Sequence, residues 1–182
     1  MLAGFALSLA AQQSPPPSPT PHRPLRPVAE FGIEAGGDRV ATVTFTDGSR
    51  QSVRAGQGGT LAAGLLWTPS ATVPASLRLT AGFKFQTTAA DNVSIWMRRF
   101  PVELVGSWHL PNQWRVGAGL VRHIQPRFTA ENLVPDIAFG DATGGTLEVG
   151  WNVVALTWTA LSYGSVKANA IGATLIWPFG GR

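Results

Sequence analysis

Residues 77–86 read Leu-Arg-Leu-Thr-Ala-Gly-Phe-Lys-Phe-Gln, apolar at every odd position and charged, polar or glycine at every even one. A period of two belongs to a β-strand whose two faces meet different surroundings. The same alternation returns at Ala29–Ala35, Leu61–Trp67, Phe100–Leu110, Trp114–Leu120, Leu147–Trp151, Leu156–Ala160 and Ile171–Trp177. Eight strands are therefore expected.

Alternation alone does not separate a soluble sandwich or lipocalin-like barrel from a membrane barrel; the chemistry of the two faces does. Only 13% of the residues are charged, although 45% are hydrophobic. A soluble surface carries about 25–35% charged residues. No apolar run approaches the roughly 20 residues of a membrane-spanning helix. Hydrophobicity that is high overall but confined to alternate positions fits a closed barrel in lipid, where every backbone group is paired between strands. The face opposite the apolar one combines glycine and threonine with Glu30, Glu34, Arg78, Lys84, Arg99, Glu103, Arg115 and Glu148. These charges are few and of mixed sign, as an interior that pairs them requires. Eight strands enclose a space that side chains can just fill. The fold class expected is all-β: an eight-stranded antiparallel up-and-down transmembrane barrel.

The connectors orient it. Short links around Pro69–Ala75, Pro111–Asn112 and Asn152–Val153 alternate with long segments at Gly37–Gly59, Thr87–Ser94 and Ile124–Gly145, and with a tight link at Tyr163–Val166. Short periplasmic turns and longer extracellular loops give this alternation in outer-membrane barrels. Within the first long loop, Asp47-Gly48 is a hairpin signal. Trp67, Trp108, Trp114, Trp151 and Trp177, five of the seven tryptophans, fall beside the short turns or the C-terminal end. Indoles favour a membrane interface, so these five are expected to form a periplasmic aromatic girdle.

Upstream of the strands, Met1–Ala10 is apolar and ends in small residues. It resembles a secretory signal without the basic n-region, the alternative being an ordinary apolar terminus. Residues 12–27 are rich in proline and serine, the composition of a disordered spacer. The expected organisation is a signal segment over 1–11, a linker over 12–27 and a barrel over 28–182.

With these strands in hand, the chain resembles the OmpA/OmpX-like bacterial outer-membrane β-barrel superfamily over roughly Val28–Phe179. The last strand, Ala170–Trp177, is similar to the C-terminal assembly signal of such barrels. Gly172, Leu175 and Trp177 match that signal, Ala170 stands at its polar position, and the chain runs on to Arg182. The resemblance implies a monomeric protein of the Gram-negative outer membrane, with its N-terminus periplasmic and its long loops extracellular. Implied partners are outer-membrane lipids, lipopolysaccharide and the barrel-assembly machinery, which would read the last strand. A structural or surface-interaction role without catalysis is expected, with a small gated pore as the alternative.

Catalytic chemistry is weakly supported. A lipid A deacylase of barrel type would use a membrane-facing histidine with serine two residues on, but Gln125 stands two after His123, and an amide cannot replace the hydroxyl nucleophile. His123 is read as a rim histidine bonded to loop backbone. The polar interior also argues against the acyl pocket of a palmitoyltransferase-type barrel. Cysteine is absent, and His22, His109 and His123 are too dispersed in this reading to share a metal. Gly56–Gly59 reads as loop closure. No cofactor is expected, and the scattered basic residues give no nucleic-acid patch. Glu34, Arg78, Lys84, Arg99, Glu103, Arg115 and Glu148 are expected to form a charge network in the lumen, a plug or alternatively a conductive gate, because unpaired buried charge is expensive. Arg98 and Arg122 lie out of phase with that row and are candidates for lipopolysaccharide phosphates.

Overall fold

The computed structural model describes residues 23–44, 47–70, 72–90, 93–130 and 134–180. The expected signal segment and the spacer as far as His22 lie outside the described residues. In chain order the strands are β1 (Leu25–Ala35), β2 (Arg39–Thr44), β3 (Arg50–Arg54), β4 (Gly58–Trp67), β5 (Ala75–Ala90), β6 (Val93–His109), β7 (Trp114–Ala130), β8 (Val134–Ala138), β9 (Ala142–Trp151), β10 (Val154–Ala160), β11 (Ser162–Tyr163), β12 (Val166–Lys167) and β13 (Ala170–Pro178). Around the barrel they run β1, β4, β5, β6, β7, β9, β10, β13, each antiparallel to the next, and β13 pairs back onto β1. The expected eight-stranded up-and-down barrel is what forms, and every expected strand is one of its staves.

Strand limits differ from the expectation in instructive ways. β1 starts at Leu25, inside the proline-rich stretch, because proline carbonyls still accept: Thr68 N–H donates to Pro24 O (2.7 Å) and Phe179 N–H to Pro27 O (2.9 Å). The stretches 87–94 and 124–145, expected as loops, are largely strand: β5 reaches Ala90, β6 begins at Val93, β7 runs to Ala130 and β8 lies against it. The alternation was hidden in β7 by a bulge. Between Arg98↔Arg127 and Phe100↔Ile124 the ladder gains one residue on β7, where Gln125 has a left-handed φ of 48°. An extra residue reverses which face each later side chain takes. Thus Arg115, Val121 and His123 point inward before it, and Pro126, Phe128 and Ala130 after it.

The first long loop folds as the β2–β3 hairpin, with Ser49 N–H donating to Asp47 Oδ1 (2.8 Å) in its Asp-Gly turn. At the opposite end the turns are tight: Asn112 and Asn152 adopt left-handed φ of 58° and 52°.

The lumen is layered. At the short-turn end, Val28, Ala155 and Ile176 pack with Leu66. The middle holds the charges. Toward the long-loop end lies a larger apolar cluster: Val53 and Ala55 from the hairpin meet Ile95, Met97, Phe128 and Leu161, among others. The interior was expected to be polar and charged; toward the long-loop end it is instead an apolar plug, to which Val53 and Ala55 contribute.

Candidate functional site

The charged middle layer is built by inward positions of six strands. Arg78 on β5 reaches across the lumen to Glu148 on β9, Nη2 to Oε2 2.7 Å, and its Nε pairs with Glu30 on β1. From β7, Arg115 Nε donates to the other Glu148 oxygen at 2.7 Å, and its Nη1 donates to the Asn152 carbonyl. Lys84 pairs with Glu34, whose second oxygen accepts from Thr159 Oγ1 at 3.2 Å. Thr80 Oγ1 donates to Glu30 Oε2 at 3.3 Å. Two glycines make room: a Cβ on Gly150 would stand 2.5 Å from Arg115 Cζ, and one on Gly172 would collide with Glu34 Cγ.

Of the seven residues expected in the network, five are joined by ion pairs: Glu34, Lys84, Arg78, Arg115 and Glu148. Arg99 is fully buried but pairs with no carboxylate among the described residues; its Nη2 donates to the Gln57 carbonyl at 2.6 Å. Glu103 faces a central cavity of about 30 Å³ beside Glu30, Glu34 and Arg78, and among the described residues it has no ion pair. That volume holds a water or two and little else. Glu30, on the inward row but outside the expected network, is one of its anchors, which the alternation alone already permitted.

His123 differs most from expectation. It points into the lumen, buried, with Nδ1 2.5 Å from the Tyr163 hydroxyl, and so bonds a side chain and not loop backbone. Burial pushes the Tyr163 phenol up to about 12, with the Arg99 charge opposing. Gln125 sits on the outer face, its N–H donating to Asp141 Oδ1 at 3.0 Å. Arg122 donates to Asp141 Oδ2, also at 3.0 Å. The Gln125 N–H first, and Arg122 second, hold the Asp141 carboxyl below its ordinary range. At the turn end, Ser76 Oγ lies 2.8 Å from His109 Nε2. Among the described residues no three His, Cys, Asp or Glu side chains are placed to hold a metal.

On the outside, the five expected rim tryptophans all face outward at the short-turn end, 47–59% exposed. Above them the outward positions carry Leu65, Leu79, Leu104, Leu120, Leu147, Leu156, Ile171 and similar side chains, all exposed. Arg98 and Arg122 close this band at the long-loop end, both exposed, and are joined there by Arg127. Arg127 could not be placed from sequence, because only the bulge at Gln125 turns it outward. No known family's sequence profile matches this chain, and no curated protein matches it.

Proposed function

We propose that the chain is an integral protein of a bacterial outer membrane, a barrel that supports the envelope or presents its loops at the surface, and that it is not an enzyme. One observation carries this reading: the outward face of the barrel is an uncharged apolar band bounded by tryptophans at one end and arginines at the other. On β6 the step from Trp108 to Arg98 covers roughly 34 Å of strand, or about 26 Å along the axis at a tilt of about 40°. Outer-membrane barrels carry an apolar band of about 25 Å between their interfaces. Exposed leucines and isoleucines in such number are costly in water and favourable in lipid. The short-turn end would face the periplasm and the loops the exterior. Within this reading the last strand, with Gly172, Leu175 and Trp177, is what the assembly machinery would engage.

His123 points away from lipid, which supports a role in the interior rather than in lipid chemistry. Expression should leave lipid A mass spectra unchanged. The second reading, a small gated pore, is favoured by the charged middle layer and its water-sized cavity. Stepwise currents in planar bilayers that change on Glu34 or Arg99 substitution would support it; silence would retire it. The membrane reading itself is tested by fractionation and gel migration. The folded protein is expected in outer membranes, migrating differently before and after heating. A monomer soluble without detergent would overturn it.

A further inference from the structure

We infer that Arg98 and Arg127 form a clamp for the phosphate of an outer-leaflet lipid headgroup, an inference that rests on the membrane reading above. The two residues stand directly opposite in the β6–β7 ladder. Each is exposed between buried neighbours, Arg98 between Met97 and Arg99, and Arg127 between Pro126 and Phe128, so both guanidinium groups leave the outer face side by side. Like charges directly opposed across a ladder destabilise a sheet unless something lies between them. Among the described residues nothing does so. Continuing the row outward, Arg98 pairs in register with Phe85 and Arg127 with Ala138, neither of them an acid. Among the described residues neither arginine is in an ion pair; Asp141 is engaged by Arg122 and the Gln125 N–H, and Asp136 on β8 stays beyond ion-pair distance. This juxtaposition depends on the bulge. Without the extra residue at Gln125, Arg127 would enter the lumen and Phe128 would meet the headgroups.

The position supplies the ligand's chemistry. Arg98 ends the apolar band at the level where headgroups begin, and exposed Trp96 lies two residues beyond it on the same face. Paired guanidinium groups offer planar, bidentate donor sets that match phosphate oxygens. A phosphate between them removes their mutual repulsion, whereas a neutral headgroup leaves it in place. The pair therefore has opposite effects on stability in the two kinds of membrane.

That sign reversal is the test. The full chain and its Arg98→Gln/Arg127→Gln variant are refolded into vesicles of a neutral, phosphate-free galactolipid, with or without a phosphorylated glycolipid, and with its dephosphorylated form as control. Native mass spectrometry counts retained lipid, and unfolding midpoints report stability. The wild type should retain phosphorylated glycolipid at least tenfold more tightly than the double variant, and should gain stability from it. In neutral vesicles the variant should be the more stable of the two. Arg122→Gln, whose guanidinium is engaged by Asp141, should bind like the wild type. Equal lipid retention by wild type and double variant overturns the clamp, as does saturation by inorganic phosphate at the concentration that suffices for lipid. Heat-modifiable migration in every vesicle shows whether insertion occurred. Failure of insertion counts against the membrane reading, and insertion without phosphate preference counts against the clamp alone.

Discussion

Arg78 and Glu148 meet across the lumen from strands on different sides of the barrel, with Nη2 2.7 Å from Oε2 and both side chains almost wholly buried. Glu148 also accepts from Arg115 at 2.7 Å, so two cations share one carboxylate and Glu30, paired with Arg78, supplies the second negative charge. Without Glu148, Arg78 keeps Glu30, but Arg115 is left charged and with no ion pair among the described residues. Breaking a buried ion pair in this way costs about 3–5 kcal/mol. Glu148→Gln should therefore lower the urea midpoint of the detergent-refolded protein strongly. Glu103→Gln, at a carboxylate without an ion pair among the described residues, should lower it far less. Equal losses in the two variants would show that the cross-lumen contacts do not organise the interior.

The lumen glycines yield a steric prediction. A methyl group on Gly150 would sit 2.5 Å from Arg115 Cζ and 2.7 Å from its Nε, the atom that donates to Glu148. Arg115 must then withdraw from Glu148. Overpacking of this kind costs about 1–3 kcal/mol. Gly145→Ala is the control, because its Cβ would meet only the Gly119 carbonyl, at 3.9 Å. Unfolding midpoints should fall for Gly150→Ala and stay put for Gly145→Ala; the reverse order would mean that Arg115 is free to move.

Much of this arrangement was legible in the alternation, and the reasons it stopped being legible are local. Parity assigns Arg78, Lys84 and Glu148 to the inside and Trp108, Leu120 and Ile171 to the outside, because one residue step turns a side chain by half a revolution. Parity does not say which strand lies opposite. That Arg78 finds Glu30 and Glu148, while Arg99 finds the Gln57 carbonyl, depends on ring order, stagger and the path of a loop. Beyond Gln125 parity points the wrong way, since the bulge leaves no composition signal. Arg127 and Phe128 were therefore beyond reach, and with them the outward arginine pair and part of the apolar plug. The plug was hidden for a second reason: Val53 and Ala55 come from a hairpin whose own pattern does not say that it folds back onto the barrel mouth.

Asp141 fastens the bulge, and its titration should report on it. Its carboxyl lies below the ordinary value because the Gln125 N–H, and then Arg122, favour the charged form. A folded-state value below the unfolded one, about 3.9, gives stability that is complete above that value and is lost as the pH falls through the folded one. The Gln125 amide resonance should therefore shift with a midpoint below about pH 3.9, and the shift should vanish in Asp141→Asn. At neutral pH the Asn variant should exchange that amide faster than wild type. A midpoint at or above the ordinary carboxylate value would mean that the contact does not persist in solution.

Tyr163 offers a cleaner titration, because it is the chain's single tyrosine. Its hydroxyl is buried against His123 Nδ1 at 2.5 Å, and its ring packs beside Phe139 at a centroid distance of 5.8 Å. Burial raises its phenol to about 12, while the nearby Arg99 charge opposes the rise without cancelling it. An unfolded tyrosine ionises near pH 10. Between those values the unfolded chain releases a proton that the folded chain retains, so stability is undiminished below about pH 10 and declines as the pH rises toward the folded value. Ultraviolet difference absorbance of the refolded protein should accordingly show one phenolate transition near pH 12, shifted to about 10 in denaturant and absent in Tyr163→Phe. The Phe variant should also lose the alkaline fall in stability, although it leaves His123 without that hydroxyl at every pH. A transition near pH 10 in the folded protein would place the hydroxyl in water and remove the buried His123–Tyr163 contact from the outer plug.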